Sequence, residues 1–293
     1  MLLCCVKTIK DVFIAFAAGL ADVYDKPEVE ALTLIAIGEV TGLSKAHIKA
    51  FPETTIKEPV GKKLNDTLAQ LITGKPLQYI LGYTEFFGLR FLVNPSVLIP
   101  RPETEELVQW CIESSQSQGN NILDIGTGSG CIAISLKKNL PDASVTAIDI
   151  SAEALNTAKE NAALNQADIN FIEADALKLN DAQPVGTKFT LIVSNPPYVT
   201  LQDKTLMHTN VTDFEPHTAL FVPEDDPLLF YREIALFAAG HLVNNGLLFF
   251  EINESYGYQT VQLLSGIGFM NIELRKDMSG KFRMIKSVWC SFT

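Results

Sequence analysis

The run Asn121-Ile122-Leu123-Asp124-Ile125-Gly126-Thr127-Gly128-Ser129-Gly130 leads from a short apolar stretch into three glycines at alternate positions. The first five residues read as a buried strand, and a helical pattern begins directly after the last glycine. A strand that passes through a glycine turn into a helix is a ligand cradle. Glycine leaves the backbone bare for close approach, and the helix start offers unpaired N–H groups at the positive end of its dipole. The dinucleotide fingerprint G-x-G-x-x-G/A would need Gly or Ala at its last position, where this chain has Cys131. A pyrophosphate is therefore not the expected ligand.

Downstream, strand and helix alternate. Strands are expected at 121–125, 144–149, 170–173, 189–194, 246–251, 269–274 and 283–289, and helices at 129–139, 152–164, 227–243 and 255–266. Alternation at this spacing predicts a mainly parallel seven-stranded sheet with helices on both faces. Only a short polar link around Gly280 separates the last two strands, so one of them is expected to run antiparallel to the rest. Asp149 ends the second strand, where a carboxylate can accept from both hydroxyls of a ribose. Asp175 follows the third, where a carboxylate can accept from an exocyclic amine of adenine. The D-x-G-x-G-x-G run from Asp124 to Gly130 is similar to the first motif of the Rossmann-like (class I) methyltransferases. In those enzymes the methionine part of S-adenosylmethionine lies along this loop, which makes Asp124, Gly126, Thr127, Gly128, Ser129, Gly130, Asp149 and Asp175 the candidate cofactor residues.

The fourth strand ends in Asn195-Pro196-Pro197-Tyr198. Ligands of parallel sheets bind beyond the strands' carboxyl ends, so this segment is expected beside the glycine loop. An amide or aromatic amine is a poor nucleophile because its lone pair is delocalised. Two fixed acceptors that take both its N–H bonds would aim the lone pair at a sulfonium methyl. The Asn195 side-chain oxygen and the Pro196 carbonyl are those candidate acceptors. Each proline biases its predecessor toward extended backbone and has no N–H to donate. Tyr198 is expected to offer a flat face to the planar substrate group.

Upstream, residues 7–75 show apolar residues at helical spacing: Ile9, Val12, Phe13, Phe16 and Leu20; then 29–40, with Gly42 past the end; then Leu64, Leu68, Leu71 and Ile72. Pro59-Val60-Gly61 reads as a break before the third run. A small helical domain is expected over 1–75. Residues 76–100 read as a β-hairpin linker built from Gln78–Tyr83 and Phe86–Val93, with a larger domain at 101–293. Pro102 suits the first turn of a helix through Val108.

The chain of 293 residues has a net charge of −11, which disfavours tight binding to phosphate backbones. Its five cysteines, at 4, 5, 111, 131 and 290, fit neither a disulfide framework nor a zinc spacing, and no metal site is expected. Lys7, Lys10 and Asp11 interrupt the apolar start before a signal core develops, and no window has the length of a membrane span, so a cytoplasmic protein is expected.

Most of the chain resembles the HemK/PrmC protein-(glutamine-N5) methyltransferases. The resemblance rests on the helical start, Pro76-Leu77-Gln78-Tyr79-Ile80-Leu81-Gly82, Leu98-Ile99-Pro100-Arg101-Pro102-Glu103-Thr104-Glu105, the glycine loop, Ser194-Asn195-Pro196-Pro197-Tyr198 and Phe214-Glu215-Pro216-His217-Thr218-Ala219-Leu220. It implies S-adenosylmethionine as cofactor, with Asn195 among its contacts. The implied substrate is the glutamine of the Gly-Gly-Gln motif of bacterial peptide-chain release factors, contacted by Asn195, Pro196, Pro197 and Tyr198. The first six residues look like an extension, or a misassigned start, relative to the family. Arg101, Glu103 and Glu105 are expected at the mouth of the site, and Glu215 either orders the loop over the substrate or forms a local ion pair. Asn-Pro-Pro-Tyr also occurs in adenine-N6 DNA methyltransferases, the alternative reading. Against it stand the overall acidity and a first 75 residues holding nine lysines and nine acidic residues, so neither DNA nor a membrane is expected as partner. A binding module without turnover is a third reading, disfavoured by the intact Asn195 motif.

Overall fold

In a computed structural model of the chain, residues 7–115, 119–179, 188–204 and 209–290 are described. The expectations for the first six residues, for Cys4 and Cys5 and for His208 lie outside them. The chain divides into two compact units. One gathers the described residues up to Leu81 together with Thr209–Phe214; the other holds the rest from Gly82 onward.

The first unit is helical: α1 (Ile9–Leu20), α2 (Lys26–Thr41), α3 (Lys45–Ala50), α4 (Glu58–Ile72) and α5 (Leu77–Leu81). Thr8 and Asp11 form a reciprocal capping box on α1, an arrangement worth about 1 kcal/mol. Ile9, Val12, Phe16 and Leu20 pack with Ile37 of α2 and Leu64, Leu68 and Leu71 of α4 in one core, as the spacing predicts. Gly42 ends α2 in the left-handed conformation. Two expectations change. Pro59 does not break the chain but sits in the first turn of α4, where a missing N–H costs nothing. Residues 77–81 are a helical turn and not a hairpin strand. The hairpin is β1 (Tyr83–Phe86) and β2 (Leu89–Leu92), closed by Phe87 and Gly88, both at positive φ.

In the second unit the hairpin docks on α8 (Ala152–Leu164): Asn161 accepts from Leu92 N at 2.6 Å and donates to Leu92 O at 3.0 Å. Around these elements run α6 (Pro102–Ser114), β3 (Asn121–Ile125), α7 (Cys131–Asn139), β4 (Ser144–Asp149), β5 (Asn170–Glu173), β6 (Phe189–Ser194), β7 (Leu242–Glu251), β8 (Met270–Lys276) and β9 (Phe282–Trp289). The seven strands β3 to β9 form one sheet in the order β5-β4-β3-β6-β7-β9-β8. β9 alone runs antiparallel to its neighbours, which resolves the expectation for the last two strands. Successive side chains alternate between the faces. Ile122, Leu191, Val193 and Phe249 pack under α6 and α7. Leu123, Ile192, Leu248 and Phe250 pack under the helices Leu229–His241 and Gly257–Ile267. β7 starts four residues earlier than expected, because Asn244-Asn245-Gly246 is absorbed within it as an irregularity, with Asn245 at positive φ. This order brings the carboxyl ends of β5, β4, β3, β6 and β7 to one edge, where the candidate residues lie.

Candidate active site

The glycine loop is held from below by Asp124. Its side chain is fully buried; Oδ2 accepts from Thr127 Oγ1 at 2.6 Å and from Ala133 N at 3.2 Å. Oδ1 has no hydrogen-bond partner among the described residues. Burial pushes this carboxyl up to about 7, against the two hydrogen bonds that favour the anion. Asp124 therefore shapes the loop from within the fold. Asp149, at the end of β4, holds the loop from the side: Oδ2 accepts from Gly128 N at 2.8 Å and Oδ1 from Ser151 N at 2.9 Å. Burial raises its carboxyl as well. Both Gly126 N and Thr127 N donate to Ile148 O at 2.9 Å.

The glycines divide by role. A Cβ on Gly128 would meet nothing within 4 Å, so that position faces open space. A Cβ on Gly130 would stand 3.0 Å from Ile134 Cδ1 and 3.2 Å from Ala158 Cβ, so Gly130 serves the close packing of α7 on α8. Ser129 is buried, and its carbonyl accepts from Asn161 at 2.9 Å. Asp175 lies just past β5, whose exit is tied to β4 by Ala174 N donating to Asp149 O at 2.9 Å. Its carboxylate accepts from Leu177 N at 2.9 Å and pairs with Lys178 at 3.1 Å.

β6 lies against β3 with Ser194 opposite Ile125, so Asn195 emerges next to Gly126. Ser194 Oγ donates to Ile125 O at 2.7 Å, locking the two strand ends together. Beyond this point the structure adds residues that the sequence did not single out. Asn195 Nδ2 lies 3.5 Å from Thr104 Oγ1 on α6. Thr104 Oγ1 donates to Glu251 Oε2 at 2.6 Å, and the Tyr198 hydroxyl donates to Glu251 Oε1 at 3.0 Å. Glu251 ends β7, one position past the Ser194–Phe250 register pair, and is buried. Burial pushes its carboxyl upward, while Thr104 and Tyr198 pull it back down. The Tyr198 phenol is raised well above its ordinary value by burial and then by the neighbouring Glu251 charge. Asn253 donates to Tyr198 O at 3.1 Å and to Asp203 Oδ2 at 2.9 Å. The segment Asn195 to Tyr198 is thus pinned at both ends, with Pro196 buried between them.

Arg101, immediately before α6, pairs with Glu215 at 2.6 Å; Glu215 also accepts from Ile99 N at 3.3 Å and is buried. This ion pair spans 114 residues of sequence and is not local. Glu105 Oε1 accepts from Phe87 N at 2.8 Å, which fixes the hairpin turn. Phe87 needs that support because it is a non-glycine residue at positive φ.

Comparison with known proteins fits this geometry. The PrmC N-terminal domain family matches residues 12–82, and the Methyltransferase small domain family matches 104–213. The release factor glutamine methyltransferase of Flavobacterium psychrophilum is 48% identical over 282 residues, covering 95% of this chain and 98% of that protein. Its counterpart in Bacteroides thetaiotaomicron is 43% identical over 91% of this chain and 95% of its own. A methyltransferase structure from Pyrococcus furiosus superposes with a TM-score of 0.52 at 18% identity, over 77% of this chain and 99% of that one, and shares the fold. Full-length coverage by relatives of this identity, on a class I methyltransferase sheet, places the chain in the family of release factor glutamine methyltransferases.

Proposed function

We propose that this methyltransferase moves a methyl group from S-adenosylmethionine to the side-chain amide nitrogen of the glutamine in the Gly-Gly-Gln motif of peptide-chain release factors. The observation that carries the reading is the placement of Asn195 one residue beyond the β3–β6 register, beside a glycine loop clasped by Asp149. The residues fit the cofactor: Gly128 opens onto free space, and Asp149 keeps further lone pairs for ribose hydroxyls. Gly126 to Gly130, Asp149 and Asp175 would hold it, with Thr127 and Asp124 bracing the loop. When bound, the cofactor supplies an electrophilic methyl, and no strong base is required.

The protein's own work is orientation. The Asn195 side-chain oxygen and the Pro196 carbonyl accept the two amide N–H bonds, which weakens the amide's conjugation and aims its lone pair. Pro197 and Tyr198 flank the glutamine. Arg101 and Glu215 anchor the chain returning from the Asn-Pro-Pro-Tyr segment, and residues 1–75 provide a docking surface for the protein substrate. The test is side-by-side incorporation of labelled methyl into a release factor, the same factor with its Gly-Gly-Gln glutamine changed to alanine, and unmethylated duplex DNA. Label is expected only in the first. Comparable label in the alanine variant or in DNA overturns the reading.

A further inference from the structure

The Glu251 carboxylate receives hydrogen bonds on both oxygens, from Thr104 on one and Tyr198 on the other. A threonine hydroxyl has a single proton. With that proton committed to Glu251 at 2.6 Å, Thr104 Oγ1 can meet Asn195 only as an acceptor. The amide edge of Asn195 that faces Thr104 must then be the NH₂. If the amide were turned over, its oxygen would face an oxygen that has no proton to give, and two amide donors would confront the donors of the incoming glutamine.

We propose that Thr104 and Glu251 are positioning residues that fix the rotation of the Asn195 side-chain amide, so that its oxygen and not its nitrogen meets the substrate. The inference rests on the functional reading above and deepens it. The geometry of this triad is independent of any ligand. Thr104 is 2% and Glu251 1% exposed, so neither has a water-facing edge that could replace the interaction. The contact between Asn195 and Thr104, at 3.5 Å, is a long one. Thr104 and Glu251 come from α6 and the end of β7, and Asn195 directly follows the last residue of β6, so the groups that set the rotation belong to one helix and the sheet.

The experiment uses the full chain. Thr104→Val keeps the shape and removes the hydroxyl; Thr104→Ser restores it. Thr104→Val should lower kcat on a release factor about tenfold, leave KM within about twofold, and be rescued by Thr104→Ser. In an Asn195→Ala background, Thr104→Val should add less than a twofold loss, because the group it orients is already gone. The second readout needs no substrate. The Asn195 side-chain NH₂ signal in ¹⁵N NMR, assigned by its loss in Asn195→Ala, should show restricted motion in the wild type and become mobile in Thr104→Val. Equal losses in both backgrounds, an unrescued Thr104→Ser, or an NH₂ signal unchanged by Thr104→Val would each overturn the proposal. A wild-type enzyme that puts no label into any release factor would remove the substrate reading and leave the NMR measurement to decide the positioning role.

Discussion

Gly130 and Gly128 stand two residues apart in one loop, and the structure assigns them different penalties for the same added methyl. Gly130→Ala places a Cβ 3.0 Å from Ile134 Cδ1, 3.2 Å from Ala158 Cβ and 3.5 Å from Ala158 Cα. Ile134 and Ala158 are fully buried and cannot swing aside, so the helices must part. Overpacking of this kind costs about 1–3 kcal/mol. The residue also has φ of 81°, and a left-handed conformation costs a non-glycine residue about 1–2 kcal/mol. The two terms together give a destabilisation of about 2–5 kcal/mol, which for a domain near this size lowers the melting temperature by about 5–15 °C. Gly128→Ala carries only the backbone term, since nothing lies within 4 Å of its Cβ, and its melting temperature should fall by no more than about 4–8 °C. Its Cβ instead occupies the open space where the proposed cofactor must approach the backbone, so affinity should drop more than tenfold. Differential scanning fluorimetry and calorimetric titration with S-adenosylmethionine read the two effects separately. A Gly130→Ala protein that melts within 2 °C of the wild type, or a Gly128→Ala protein with unchanged affinity, refutes the division of roles.

Three further outcomes are expected. Asp149→Ala removes a carboxylate proposed to take two ribose hydroxyls, each such bond contributing about 1.5–3 kcal/mol, so calorimetry should show S-adenosylmethionine binding weakened more than tenfold. Asn195→Ala should reduce kcat by about 10²–10³ with little change in melting temperature, since the residue is partly exposed and lies just beyond a strand; near-normal turnover would remove its role. Asp124, raised to about 7 by burial, is favoured in its protonated form by the fold. Its contribution to stability is full below about pH 4 and is lost as pH rises through 7. Asp124→Asn, which stays neutral, should therefore look better relative to wild type at pH 8 than at pH 5, and an identical melting-temperature difference at both would contradict the burial argument. Asp149 and Glu251 shift in the same direction, so this substitution flattens the pH slope without abolishing it.

The parallel half of the sheet was legible because local signals agree there: apolar strands of the right length, a glycine turn, and helical patterns between them. Residues 77–81 were misread because Leu77-Gln78-Tyr79-Ile80-Leu81 is too short to show a helical period, while its aromatic and branched residues favour a strand. The candidate site was legible wherever a residue's neighbours in sequence announce it, as around Asn195 and Asp149. Glu251 carries no such signal. It is one acid at the end of an apolar strand, and its meaning comes from Thr104, 147 residues earlier, and Tyr198, 53 residues earlier. The Glu105 contact was not legible for a related reason: nothing in the sequence shows that the hairpin turn folds back onto the start of α6.

The placement of β9 between β7 and β8 has a consequence for how the molecule comes into being. β8 precedes β9 along the chain, yet β9 is its only neighbour in the sheet, so β8 has nowhere to pair until the later strand arrives. The two strands must enter together, as a hairpin turning at Asp277–Lys281, onto the exposed edge of β7. The residue of β9 that meets Glu251 is Met284, and Arg283 O takes the N–H of Ile252 directly beyond. A nascent or clipped polypeptide ending before β9 would already carry the glycine loop, Asp149 and Asn195, yet the strand that bears Glu251 would hang with one side unpaired. In such a fragment the backbone groups along the β9 side of that strand would be left open, an edge ready to pair with another chain.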